Sequence, residues 1–225
     1  MTKLHGIKAC VFDAYGTLFD VHAPMRKLAP EIGDRAEDVS KLWRQKQLEY
    51  SWLRSLMGVH ADFWHVTGDA LDYALEHFGI SEPGLRDEIM ALYLKLDAYP
   101  DAAAALEAVK AKGKLTAILS NGSPAMLEAA VRHAGLEKLF NMVLSVEEVG
   151  IYKPSRRVYR HAMQKLQIHE ASAICFVSAN TWDAQGAAHF GFQVLRVNRF
   201  GLKDDRIPGR PAALVQDLSE LVRMV

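Results

Sequence analysis

The segment CVFDAYGTLFD (residues 10–20) closes an apolar run on a single carboxylate, Asp13, and places Tyr15 where a second acid would complete a pair. A carboxylate in such a setting can serve as a nucleophile or as a metal ligand. Three more polar clusters follow. They are Ser120-Asn121-Gly122, Lys153 before Pro154, and Ser178-Ala179-Asn180 with Asp183 one helical turn later. Each has an ordinary structural explanation. Asn121-Gly122 could be a turn, Asn180 or Thr181 an N-cap, and Asp183 an acid opposing a helix dipole. Thr17 could simply stabilise the loop after the strand. Lys153 fits no such explanation, because the sequence predicts it at the N-cap of a helix beginning at Pro154, where a cation is disfavoured. A local rule broken without compensation is expected at functional sites.

The elements that carry these clusters alternate from residue 98 onward. DAAAALEAVKAKG (101–113) predicts a helix and LTAILSNG (115–122) a strand. Ser123 and Pro124 open a helix that Gly135 closes. Residues 140–148 read as a strand, 154–167 as a helix, 172–180 as a strand, 181–190 as a helix and 193–199 as a strand. IKACVFDAY (7–15) is a first strand of the same doubly apolar kind. Strands apolar on both faces and separated by helices predict a Rossmann-like α/β core, a parallel sheet with helices on both faces. Residues 20–97 show helical periodicity only, notably at 37–58 and 61–79, and predict an all-helical cap inserted after the first strand. The expected division is a core of residues 1–19 and 98–225 with a cap of 20–97. The tail 201–211 reads as a loop leading to a short last helix. Ligands of open parallel sheets bind beyond the carboxyl ends of the strands, and four strands here would deliver an acid, an amide, a base and a second acid to one rim.

Composition narrows the choice of partner. The 225 residues balance 27 acidic against 27 basic side chains, which argues against nucleic-acid or anionic-membrane binding. No apolar run reaches the ~20 residues of a membrane span, and MTKLHGIKAC lacks a secretory apolar segment, so the expected location is cytoplasmic. Two cysteines, Cys10 and Cys175, sit in apolar runs and read as buried thiols; the nine histidines show no HxxxH or HExxH pair.

Taken in order, DAYGT (13–17), LSNG (119–122), Lys153-Pro154 and SANTWD (178–183) resemble the four motifs of the haloacid dehalogenase superfamily. In that superfamily the first Asp is the nucleophile, the middle motifs hold anionic groups, and the last acids usually bind magnesium. Most members are phosphatases that read DxDGT, with the second Asp as general acid. This chain has Tyr15 there and Asn180 where a late acid would stand, which leaves a poor magnesium site. A halide needs no proton on leaving, whereas an alkoxide does. The resemblance is greatest to the L-2-haloacid dehalogenase branch, whose first motif is also DAYGT, and LWRQKQLEYSW (42–52) looks like that branch's cap signature.

What this resemblance implies is a metal- and cofactor-free hydrolysis of a small 2-haloalkanoic acid, L substrate to D hydroxyacid, with halide as the second product. Asp13, Thr17, Lys153, Tyr159, Ser178, Asn180 and Asp183 are the implied catalytic set. Ser120 and the backbone N–H groups near Ala14, Tyr15 and Asn121 would hold the carboxylate, and Arg44, Asn121 and Phe63 would receive the halide. Tyr15, Leu48, Phe63 and Trp182 would keep the pocket dry, and Gln45 is a further implied substrate-binding residue. Asp183 is the expected activator of the hydrolytic water, with His189 and His65 as alternatives. Position 179 is Ala where the branch often has a second Ser. Family members are commonly homodimers through the cap, and the apolar helix around Trp43, Trp52 and Leu56 could supply that surface. A magnesium-dependent phosphatase and a non-catalytic binding protein are the rival readings.

Overall fold

The computed structural model describes residues 3–225. The first strand, β1 (Ala9–Phe12), is wholly buried and stops one residue before Asp13. Five helices follow it: α1 (Ala23–Lys27), α2 (Ala29–Ile32), α3 (Ala36–Met57), α4 (Phe63–Phe78) and α5 (Leu85–Tyr93). The remainder alternates as α6 (Ala102–Ala111), β2 (Leu115–Ser120), α7 (Pro124–His133), β3 (Met142–Ser145), α8 (Arg156–Lys165), β4 (Ile174–Ser178), α9 (Thr181–Phe190), β5 (Gln193–Val197), β6 (Ala213–Val215) and α10 (Leu221–Met224).

All six strands are parallel, in the order β3-β2-β1-β4-β5-β6. The chain winds from β1 outward to β3 and then returns to build the other half from β4. The reversal falls between β1 and β4, the switch point where such sheets open a crevice. Asp13 and Ser178 stand at the two strand ends that flank it. Cys10 and Cys175 are register partners on these strands and are free, buried thiols.

The helical insert leaves the sheet through a narrow neck. Asp20 N–H donates to Asp97 O at 3.0 Å, and Tyr99 N–H donates to Leu18 O at 2.8 Å. Beyond the neck, α3 and α4 pack against each other. Trp43 Nε1 donates to Thr67 O at 2.9 Å, and Arg54 pairs with Asp69 at 2.8 Å. The acids Glu37 and Asp38 in its first turn favour α3, while the Asp62 side chain caps α4 by accepting from His65 N–H at 2.9 Å.

Two sequence expectations need correction. Lys153 is not an N-cap: the helix starts at Arg156, and the Ser155 hydroxyl caps it by accepting from Arg157 N–H. Lys153 therefore belongs to the loop between β3 and α8, and a serine satisfies the helix as the local rules require. The strand expected at 140–148 narrows to Met142–Ser145, because Val146–Glu148 turns into a 3₁₀ helix. The loop expected at 201–211 is present, and just beyond it Ala213–Val215 form an edge strand, β6, that pairs with β5 and that the sequence reading lacks. No helix among the described residues is long and apolar enough to cross a membrane.

Candidate active site

The turn after β1 lifts Asp13 to the rim of the sheet. Gly16 follows at φ +88, a left-handed conformation that glycine takes at no steric cost, and it bends the chain away beneath Asn180. Thr17 is fully buried, and its hydroxyl donates to Asp13 Oδ2 at 2.9 Å while accepting from Ala179 N–H at 2.8 Å. One hydroxyl thus ties the β1 turn to the β4 turn.

Asp13 accepts on both oxygens. Lys153 Nζ reaches Oδ1 at 3.1 Å, and Asn180 Nδ2 reaches Oδ2 at 2.7 Å. Asn180 also donates to Tyr15 O at 2.9 Å, so its side chain braces the nucleophile turn although its backbone occupies the N-cap of α9. Lys153 Nζ lies between two acids, since it donates to Asp183 Oδ2 at 2.8 Å as well. Burial alone would lower the pKa of this ammonium, but Asp13 and Asp183 outweigh it and the net direction is upward.

Asp183, in the first turn of α9, is completely buried. Its Oδ1 accepts from Tyr159 OH at 2.8 Å, and Ser178 Oγ donates to Oδ2 at 3.3 Å. Burial pushes its pKa up to about 6 against the pull of Lys153 and the Tyr159 hydrogen bond. The Tyr159 phenol is held protonated by burial and by Asp183, so it acts as the donor. On the β2 side, Ser120 Oγ accepts from Gly122 N–H at 3.1 Å, and Asn121 Oδ1 accepts from Lys153 N–H at 3.0 Å. The amide thereby fixes the lysine's backbone from the neighbouring strand end.

An aromatic wall faces these groups. Tyr15 stacks on Tyr93, with centroids 5.5 Å apart and planes at 25°, and lies 5.9 Å from Phe63. Trp182 meets Trp52 edge-to-face at 5.4 Å. Gly122 is required by close approach, because a Cβ there would stand 2.6 Å from Tyr15 Cε2. Arg44 reaches in from α3 and donates from Nη2 to Asn180 Oδ1 at 3.3 Å. Leu48, one turn later on α3, is half-buried, and Ala14 is fully buried in the turn itself.

Not every expected residue joins this group. Gln45 is exposed and donates to Glu49 at 2.7 Å, because the position after Arg44 on a helix faces another way. His65 and His189 are both exposed, His65 beside Asp69 and His189 in the last turn of α9. Three buried residues were missed: Gln47, bonded to Arg44, Tyr93, stacked on Tyr15, and Tyr152, whose ring lies 5.8 Å from Phe63. Gln47 shares the Arg44 face at i+3, which is the signal that could have found it.

A sequence profile of haloacid dehalogenase-like hydrolases matches residues 7–191. The chain belongs to this hydrolase family. It is 48% identical over 220 residues to (S)-2-haloacid dehalogenase 1 of Pseudomonas sp. (strain CBS-3), covering 97% of this chain and 96% of the relative. A crystal structure of a dehalogenase superposes with TM-score 0.96 at 44% identity, covering 99% and 98% of the two chains. The L-2-haloacid dehalogenase of Xanthobacter autotrophicus, with chloropropionic acid covalently bound, superposes with TM-score 0.90 at 37% identity over 96% of this chain and 97% of its own. The fold of this hydrolase is the family's, and it is an enzyme similar along nearly its whole length to (S)-2-haloacid dehalogenases.

Magnesium, which many hydrolases of this superfamily employ, does not fit the residues present. The Lys153 ammonium stands between Asp13 and Asp183, and Asn180 turns an amide N–H, not a carboxylate, toward Asp13. Among the described residues no group of three or more His, Cys, Asp or Glu side chains converges on a cation site.

Proposed function

We propose that this hydrolase dehalogenates small (S)-2-haloacids to (R)-2-hydroxyacids and halide, without metal or cofactor, between a cap of residues 20–97 and a core of 1–19 and 98–225. The observation that carries the reading is the buried ammonium of Lys153 between two carboxylates, beneath an aromatic wall. That arrangement buries Asp13 beside a cation and away from water. Water shields a carboxylate from carbon, so exclusion of water is what turns it into a nucleophile.

The substrate carboxylate is held by Ser120, Asn121 and the β1 turn at Ala14–Tyr15, under the positive field of Lys153. Asp13 attacks C2 from the side opposite the halogen. An O–C2 bond forms as the C2–halogen bond breaks, the halide leaves with the electron pair toward Arg44 and Phe63, and C2 inverts. Leu48 and Trp182 keep the chamber dry. Alkylation removes the negative charge of Asp13, so Lys153 then faces only Asp183 and the substrate carboxylate. Water adds to the Asp13 carbonyl carbon, and its proton passes to Asp183. The ester C–O bond breaks, and Asp183 returns the proton to the departing alkoxide. Asp13 is left as the acid and loses its proton to solvent. Thr17 and Ser178 hold Asp13 and Asp183 in line, and Tyr159 orients Asp183.

Chloride release from (S)-2-chloropropionate in the presence of EDTA tests the reading. Release at an undiminished rate supports it. Hydrolysis of a phosphate ester that EDTA abolishes, with no chloride released, would favour a metal-dependent phosphatase.

A further inference from the structure

Gln47 is among the few polar side chains buried in the helical insert, at 1% exposure, and no step above uses it. Its amide spans three groups. Oε1 accepts from Arg44 Nη1 at 2.6 Å, Nε2 donates to Thr67 Oγ1 at 2.8 Å, and Tyr93 OH lies within 3.4 Å of Oε1 and 3.2 Å of Nε2. The amide has one orientation only. Thr67 spends its hydroxyl proton on Phe63 O at 2.6 Å, so toward Gln47 it can only accept. Arg44 can only donate, so Oε1 must face the guanidinium and Nε2 must face Thr67.

The consequence falls on Arg44, which is pinned at two corners. Gln47 holds Nη1 from within the insert, and Asn180 holds Nη2 from the core. Asn180 is itself bonded to Asp13. One chain of hydrogen bonds therefore runs from Thr67 through Gln47, Arg44 and Asn180 to the nucleophile. A departing halide is a large, weakly accepting anion whose charge appears only as the C2–halogen bond breaks. A donor already aimed at it contributes far more than one that must reorient.

We propose that Gln47 is the positioning residue that aims the Arg44 guanidinium at the leaving halide, and so sets how well the site expels chloride relative to bromide. This rests on the dehalogenase reading above. Gln47 touches neither substrate nor Asp13 and acts through Arg44. Its influence belongs to ester formation and not to ester hydrolysis, since the halide has left before the second step.

The test compares wild type with Gln47→Met and Gln47→Glu by rapid quench, following halide and hydroxyacid separately with (S)-2-chloro- and (S)-2-bromopropionate. Gln47→Met keeps the length but loses both hydrogen-bonding atoms, whereas Gln47→Glu keeps the acceptor for Arg44. The halide-release rate of Gln47→Met should fall at least tenfold with chloride and by a smaller factor with bromide, while ester hydrolysis stays within twofold of wild type. Gln47→Glu, which keeps the acceptor for Arg44 but has no N–H for Thr67, should regain only part of the lost halide-release rate. Equal slowing of both steps, or an unchanged bromide-to-chloride ratio, would overturn the proposal. If Gln47→Met does not fold, Thr67→Val carries the test by removing the far anchor of the amide. A bromide-to-chloride ratio shifted at least twofold supports the proposal, and an unchanged ratio overturns it. Wild-type enzyme that releases no halide in the first turnover would contradict the dehalogenase reading itself, a result distinct from any of these.

Discussion

Lys153 is the residue on which the others depend. Its ammonium is 1% exposed and bonds Asp13 and Asp183 together. Replacing it by methionine would leave two buried carboxylates without a counter-charge, so Lys153→Met should lose activity and about 3–5 kcal/mol of stability in urea denaturation. Asp183 sets the pH dependence. Its pKa is raised to about 6 by burial, above the ordinary 3.8. The folded state therefore holds this proton more tightly than the unfolded state does, and the group costs stability as pH rises through the window between these values. Activity runs the other way, because only the carboxylate can take a proton from water. Steady-state turnover limited by ester hydrolysis should climb with an apparent pKa below about 6, because esterified Asp13 no longer adds its charge to the effect of burial, and a rate that falls as pH rises from 4 to 6 would remove Asp183 from that role. At this scale the sequence was informative where an ion pair depends on residue type, as at Asp13, Lys153 and Asp183. It misled at glutamine, because Gln45 and Gln47 differ only in which helix face they occupy, and that is settled by packing against α4.

The elements act as brackets for these side chains. β1 and β4 adjoin at the switch point, and the tight turn after β2 brings Gly122 against the Tyr15 ring. A methyl at Gly122 would have to displace that ring, so Gly122→Ala should cost about 1–3 kcal/mol and raise KM, measured by thermal denaturation and substrate titration. A variant as stable and active as wild type would show that the ring moves freely. The alternation of apolar strands and helices made most of the sheet legible. β6 escaped because its apolar stretch is only three residues long and sits at the sheet edge, with Leu214 59% exposed. The sequence predicts Lys153 at a helix terminus because Pro is a common first helical residue. The helix starts two residues later, under the Ser155 cap.

On the scale of the whole molecule, the insert presents an apolar surface away from the site. Leu53, Leu56, Met57, Val59 and Tyr73 are 51%, 84%, 71%, 48% and 40% exposed, and all lie on or beside α3 and α4. Such a patch is more than scattered surface hydrophobes supply. We propose that it joins two copies of the chain through their caps. Light scattering should then find a dimer for wild type and a monomer for Leu56→Glu; a monomeric wild type at micromolar concentration would contradict this. The central claim for the molecule is that Asp13, and not water, displaces the halogen. Enzyme in excess over (S)-2-chloropropionate in oxygen-18 water, followed through one turnover, addresses it directly. Label on Asp13, with unlabelled hydroxyl in the first product, is the predicted result. Label appearing at once in the product, with none on Asp13, would contradict the account.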